Sequence, residues 1–255
     1  MKTLQIQRLF RHIAPTLFAF GFIAILSAQP LQIDKARFAE RRAALMSQTG
    51  GGIVLLASAP HSIRGGDVHF PYRQNSNFYY LTGYTEPNSF VVLRPGARQE
   101  YVLFIPQPDS SREVYSGPTP GIAQVIGEFH ADTVYNNTQY SDSLRQWLQH
   151  NSQAYVAFGD NSKARSQFYS ILGTGEVKPD TVIQAAGLIH RMRLVKSDRE
   201  IQTIRRAVEI TGEAHREMMR MAAPGQHEYE VAAAIEYVFS KLGAGHTAFP
   251  SIVAS

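Results

Sequence analysis

The stretch Pro71-Tyr72-Arg73-Gln74-Asn75-Ser76-Asn77-Phe78-Tyr79-Tyr80-Leu81-Thr82-Gly83 sets four aromatics, one cation and a cluster of amides into thirteen positions. It is too rich in amides for a simple amphipathic element and too rich in aromatic mass for an ordinary loop. On chemistry alone it reads as an aromatic-rich loop packed on a sheet. The turn signal Glu86-Pro87-Asn88 and the strand-like run Ser89-Phe90-Val91-Val92-Leu93 follow it.

Upstream, Gly50-Gly51-Gly52 ends a helix predicted over 34–48, with Asp34 as its cap and Phe38, Arg41 and Arg42 among alanines. The apolar run Ile53–Ala57 then predicts a buried strand. Phe90–Leu93 and Tyr101–Ile105 predict two more strands, joined by the turn Arg94-Pro95-Gly96. Helices are predicted over 122–129 and 141–149, and a strand over 154–158. Strands alternating with helices define an α/β domain with at least partly parallel pairing, placed at residues 30–180.

The pattern changes near Lys178-Pro179-Asp180. From Ala185 to Leu242 the chain reads as almost wholly helical. Ser197-Asp198-Arg199-Glu200 has the form of a capping box. Ile201, Ile204, Val208, Thr211, His215, Met218 and Ala222 follow at helical spacing. Pro224-Gly225 breaks that helix. A second helix is predicted from Glu228, with Val231, Ile235, Val238 and Leu242 on one face and a stop at Gly243. Ala248–Ala254 begins an extended apolar segment. There is no internal repeat and no low-complexity tract.

The amino-terminal segment has its own layout. Lys2, Arg8 and Arg11 form a positive head, Ile13–Leu26 is uncharged and mostly apolar, and Ser27-Ala28 supplies small residues before Gln29-Pro30. This is the plan of a signal peptide over 1–28, too short for a bilayer span of about 20 residues, although an uncleaved anchor is the competing reading. Removing those three cations lowers the formal net charge from +4 to +1. No dense Lys/Arg stripe indicates nucleic acid, and no stable membrane insertion is expected after cleavage. The chain has no cysteine, which excludes disulfides, thiolate metal sites and cysteine nucleophiles. Export without disulfides fits a periplasmic location.

Several chemistries find no motif here. His227-Glu228 lacks the second histidine of a zincin. Gly173-Thr174-Gly175 lacks the third glycine of a dinucleotide fingerprint and reads as a turn. There is no Gly-x-Ser-x-Gly. His215 lies on the apolar face of its helix and reads as a packed or capped histidine rather than a ligand.

Two blocks carry a family resemblance. The first runs to Gly83. The second is Ile189-His190-Arg191-Met192-Arg193-Leu194-Val195-Lys196-Ser197, continuing through Glu200-Ile201 and Arg205-Arg206-Ala207. Ala223-Pro224-Gly225 and Phe249-Pro250-Ser251-Ile252-Val253-Ala254-Ser255 extend it. The first block resembles the signature of the amino-terminal domain of aminopeptidase P, the Xaa-Pro aminopeptidases, and the second resembles the entry to the catalytic domain. The resemblance implies a creatinase/aminopeptidase P amino-terminal-like mixed sheet with flanking helices. A helical start of a pita-bread α+β domain, incomplete here, follows over 185–255.

The resemblance also implies two divalent metal ions, commonly manganese, held by two Asp, one His and two Glu. They lower the pKa of a bridging water that attacks the bond before proline. All five ligands would lie beyond Ser255, so the chain reads as truncated, binding no catalytic metal and hydrolysing nothing by itself. Its helices over 197–242 are then expected to expose apolar faces.

The expected partners are peptides with proline second and a homo-oligomer, dimer or tetramer, in which amino-terminal loops reach a neighbour's active site. By resemblance, Asp67 falls where an acid holds the substrate's amino end; otherwise it is a solvated loop acid. Tyr115 falls where an aromatic wall shields the neighbouring site, or packs on its own sheet. Phe249 replaces a tyrosine of some relatives and would line the pocket without a hydroxyl. Arg73 and Gln74 are expected to fasten the loop to backbone carbonyls. The competing functions are a prolidase-like or creatinase-like hydrolase and an exported, non-catalytic peptide-binding module of the same fold.

Overall fold

The strand β1 (Ile53–Ala57) is buried at all five positions and lies inside the main sheet. This is a computed structural model describing residues 35–109, 111, 113, 117–177 and 179–254. The expected signal segment lies outside the described residues. Among them, no helix is long and apolar enough to cross a membrane.

Seven further strands are β2 (Ile63–Gly65), β3 (Val68–His69), β4 (Phe90–Leu93), β5 (Tyr101–Ile105), β6 (Thr133–Asn136), β7 (Gln153–Ala157) and β8 (Thr181–Gln184). The helices are α1 (Lys35–Met46), α2 (Ser76–Thr82), α3 (Ile122–Phe129), α4 (Tyr140–Leu148), α5 (Ser162–Leu172), α6 (Ala186–Leu194), α7 (Asp198–Met221) and α8 (Glu228–Lys241).

Six strands form one mixed sheet in the order β6-β5-β4-β1-β7-β8. The meander β1-β4-β5 is antiparallel, while β7 joins β1, β8 joins β7 and β6 joins β5 in parallel. β2 and β3 form a separate hairpin.

Strand side chains alternate between faces, so β1 feeds two cores. Val54 and Leu56 join Leu45, Phe78, Leu81, Val125 and Ile189 on the face covered by α1, α2, α3 and α6. Ile53, Leu55 and Ala57 join Leu144, Leu148, Ala164 and Phe168 on the face covered by α4 and α5. Each fully buried Leu, Ile or Phe contributes about 2 kcal/mol relative to exposure. This three-layer arrangement is the expected α/β architecture, and the strands expected at 53–57, 90–93 and 101–105 stand at those positions. After the expected change of pattern near residue 180, β8 adds one more strand to the same sheet.

Beyond the sheet, α6 buries Ile189 in the first core. α7 and α8 bury Ile210, Ala214 and Val238. The capping box at Ser197 is present: Glu200 Oε2 accepts from the Ser197 backbone N–H at 2.9 Å. The expected apolar face of α7 is not its packed face. Ile204 and Val208 are 49% and 65% exposed, whereas the packed positions are offset around the helix at Ile210 and Ala214. No described element covers the Ile201–Ile204–Val208 stripe, as was expected for helices over 197–242. His215 is likewise exposed, and its Nδ1 bonds to the Thr211 carbonyl at 2.8 Å. The apolar segment expected to begin a strand at 248 is irregular through Ala254; an extended segment without a pairing partner makes no ladder.

Candidate functional site

The opening stretch is not a loop throughout. Residues 76–82 form α2 because Asn75 caps it, its side-chain oxygen accepting from the Asn77 and Phe78 backbone N–H groups at 3.0 and 3.1 Å. Gly83 ends it in the left-handed region at φ 70°, with its N–H donating to the Tyr79 carbonyl at 2.8 Å. A Cβ at Gly83 would lie 2.7 Å from the Phe38 ring, so that position also admits α1 closely. Seven residues with this many aromatics hid the helical period from the sequence.

Gln74 fastens the entry to α2 as expected. Its Nε2 donates to the Tyr84 and Glu86 carbonyls at 3.2 and 3.1 Å, and its Oε1 accepts from the Ala59 and Asn75 backbone N–H groups at 2.9 and 2.8 Å. Arg73 does not share that work. It is exposed and makes no hydrogen bond among the described residues. Two buried arginines of α1 take the role instead. Arg42 donates to the Leu81 carbonyl at 2.9 Å and stacks on the Tyr101 ring at 3.7 Å; burial pushes its pKa down. Arg41 donates to the Tyr80 carbonyl at 3.2 Å, stacks on the Tyr80 ring at 3.9 Å and pairs with Glu200 at 2.9 Å.

Those contacts tie the signature to the second block. Tyr80 Oη donates to the Met192 carbonyl at 3.1 Å. Arg193 Nη1 donates to Asn77 Oδ1 at 2.6 Å, and His190 Nε2 lies 3.2 Å from Asn77 Nδ2. With its carbonyl oxygen taken by Arg193, Asn77 presents its NH2 to His190. Partial burial works against ionised Glu200, but hydrogen bonds from the Ser197 backbone and hydroxyl, together with Arg41, outweigh it and hold the carboxyl below its ordinary range.

The residues expected to reach substrate lie apart from this framework. Asp67 is exposed in the turn between β2 and β3. Phe249 is 67% exposed in the irregular segment after α8. Tyr115 lies outside the described residues. Asp67 and Phe249 occupy separate segments and bring no common pocket together.

An open cleft of about 450 Å³ lies elsewhere. It lies outside the carboxyl ends of the parallel strands β7 and β8, where ligands bind in open α/β sheets. The loop before α2, the β7–α5 turn and the helix α6 bound it, and Arg73, Arg165, His190 and Arg193 line it. Sequence reading missed the cleft because its walls come from separate segments. The available signal was the strand-to-helix turn Phe158-Gly159-Asp160-Asn161-Ser162.

Among the described residues, no three His, Asp or Glu side chains converge as metal ligands. The donor set for a divalent metal pair is therefore not assembled by the described residues.

Residues 38–156 match the family model described as aminopeptidase P, N-terminal domain. Residues 202–255 match metallopeptidase family M24. The Xaa-Pro aminopeptidase of Escherichia coli strain K12 is 32% identical over 234 residues, 88% of this chain and 53% of that protein. Human Xaa-Pro aminopeptidase 3 is 28% identical across 87% of this chain and 47% of its own length. The solved structure of Pseudomonas aeruginosa aminopeptidase PepP superposes with a TM-score of 0.82 at 35% identity, covering 88% of this chain and 53% of that one. The chain spans about half the length of the curated relatives it matches. With both regions present in this order, the chain belongs to the aminopeptidase P family.

Proposed function

We propose that this chain forms the amino-terminal domain and the opening of the catalytic domain of a Xaa-Pro aminopeptidase, a metallopeptidase releasing the first residue of peptides with proline second. The supporting observation is the ordered pair of family regions, 38–156 and 202–255, on one continuous chain. Divalent metal ions, manganese by preference, supply the hydroxide in this reading. In this reading the 255 residues alone are inactive.

The chain's own contribution is structural and steric. The sheet and α1 hold α2, the Arg41–Glu200 pair ties the start of α7 to α1, and the Tyr80–Met192 bond ties α6 to α2. In a homo-oligomer, Asp67 on its exposed hairpin and Tyr115 reach a neighbouring subunit's substrate, and Phe249 lines the pocket. A carboxylate at Asp67 suits a substrate ammonium. The segment over 1–28 directs export to the periplasm and is removed.

The test is manganese-dependent release of the first residue from a Xaa-Pro peptide and from a Xaa-Ala control. Protein expressed from the complete reading frame is expected to cleave only the first, and the 255-residue chain neither. Cleavage confined to Xaa-Pro dipeptides would indicate a prolidase. Activity of the 255-residue chain alone would mean the catalytic site has been misplaced.

A further inference from the structure

We propose that the cleft outside the carboxyl ends of β7 and β8 binds a small oxyanion, a phosphate or carboxylate group, through Arg73, Arg165 and Arg193. The three guanidiniums come from three segments far apart in sequence and line one concavity. None forms an ion pair among the described residues. The one carboxylate in the lining is Asp160, which makes no bond to any of them. Like charges gathered in a concave site repel one another and focus a positive potential that an anion relieves.

Two of the three arginines, Arg73 and Arg165, lack a sufficient structural reason for their place. Gln74 already makes the four hydrogen bonds that fasten the loop, so the Arg73 charge holds nothing there. Arg165 stands in the amino-terminal part of α5, which carries Lys163 as well and no acid in its first turn. A cation there opposes the helix dipole, and a locally unfavourable choice of this kind points to function. Arg165 is nevertheless held in place: its Nη2 donates to the Gly159 carbonyl at 2.7 Å. Gly159 itself has φ 55°, and a Cβ there would collide with Asn75 Nδ2. The turn is thus pressed against the cap of α2, bringing the Arg165 and Arg73 segments together. Arg193 is oriented by Asn77, which takes one of its five N–H donors at 2.6 Å and leaves others to a ligand.

Two further groups complete the arrangement. The His190 imidazole lines the cleft, with Nε2 3.2 Å from Asn77 Nδ2. The amino end of α6 has no side-chain cap, and its first residue, Ala186, forms part of the cleft wall. Planar guanidiniums match the geometry of phosphate and carboxylate oxygens. A volume of about 450 Å³ admits a phosphorylated or polycarboxylate metabolite rather than a polymer.

Isothermal titration of the full chain with inorganic phosphate and with citrate, against chloride at matched ionic strength, tests the site. Saturable binding of either oxyanion is expected, and which one binds assigns the source. The double substitution R73Q/R165Q removes two exposed side chains and is expected to weaken binding by about tenfold or more, the loss of one charge-assisted hydrogen bond or more. R98Q, at an exposed arginine in the β4–β5 turn outside the cleft, is expected to leave affinity unchanged. Unaltered circular dichroism checks that the variants fold. Absence of saturable binding to both anions, retention of wild-type affinity by R73Q/R165Q, or an equal loss in R98Q would each overturn the proposal.

Discussion

Arg41 of α1 and Glu200 of the α7 capping box meet at 2.9 Å, joining the amino-terminal domain to the first turn of the helix that follows it. Arg41 is 6% exposed and Glu200 23%, so this pair is screened less than one in open solvent. The same guanidinium bonds to the Tyr80 carbonyl and stacks on its ring. Arg41→Ala should therefore destabilise the chain by about 2 kcal/mol, through a lost charged hydrogen bond and cation–π contact. Urea denaturation measures this. Hydrogen exchange should locate the loosening at α2 and the first turn of α7. A stability change with no local increase in exchange there would contradict the assigned role.

The pair also gives a pH dependence with a definite sign. The Glu200 carboxyl titrates below its ordinary 4.5 in the folded chain. A lowered folded-state pKa contributes stability in full above the unfolded value and loses it as pH falls through the folded one. Acidification below about 4.5 should thus weaken wild type more than Glu200→Gln. Difference curves between the two from pH 7 to pH 3 are the measurement. Parallel curves would show that the carboxylate adds no linked stability.

Gln74→Ala removes four hydrogen bonds at once. The Tyr84 and Glu86 carbonyls and the Ala59 and Asn75 N–H groups all lose a partner. Partly buried groups left unpaired cost about 1 kcal/mol or more each, and water recovers some of that. A loss of about 3 kcal/mol is expected by chemical denaturation. Arg73→Ala, one residue earlier, should change stability by less than about 0.5 kcal/mol, as exposed substitutions do. An equal loss in both variants would restore the structural role that the sequence assigned to Arg73.

That contrast marks where the sequence was legible and where it was not. β1, β4, β5 and the capping box at Ser197 depend on local patterns, an apolar run between turns or a four-residue cap, and local patterns survive in one dimension. α2 is seven residues long, shorter than two full helical periods, so its amides and aromatics masked its type. The burial of Arg41 and Arg42 was not legible because their acceptors, the Tyr80 and Leu81 carbonyls, lie across a tertiary contact. The exposure of the Ile204–Val208 stripe of α7 was legible, whereas the burial of Ile210 and Ala214 was not, because it depends on packing between elements. The cleft was invisible because no single segment holds more than part of it. Asp67 and Phe249 were singled out by resemblance, and both are exposed.

Tyr140 offers a test in the opposite direction, a deletion expected to stabilise. Its ring is wholly buried, stacks on Phe90 at 4.0 Å and meets Phe104 edge-on at 5.3 Å. Its hydroxyl is buried with no hydrogen-bond partner among the described residues, and burial pushes its pKa up. The ring contributes packing, while the oxygen has left water without compensation. Tyr140→Phe keeps the aromatic contacts and removes the unpaired group, leaving a void no larger than one oxygen atom. Removing an unsatisfied buried hydroxyl should raise stability by about 1 kcal/mol, offset in part by that void. Tyr140→Leu, which loses both ring contacts, should instead lower it by about 2 kcal/mol. If Tyr140→Phe destabilises the chain as much as Tyr140→Leu, the hydroxyl has a partner in solution, and the second core is more polar at the α4–sheet contact than its side chains indicate.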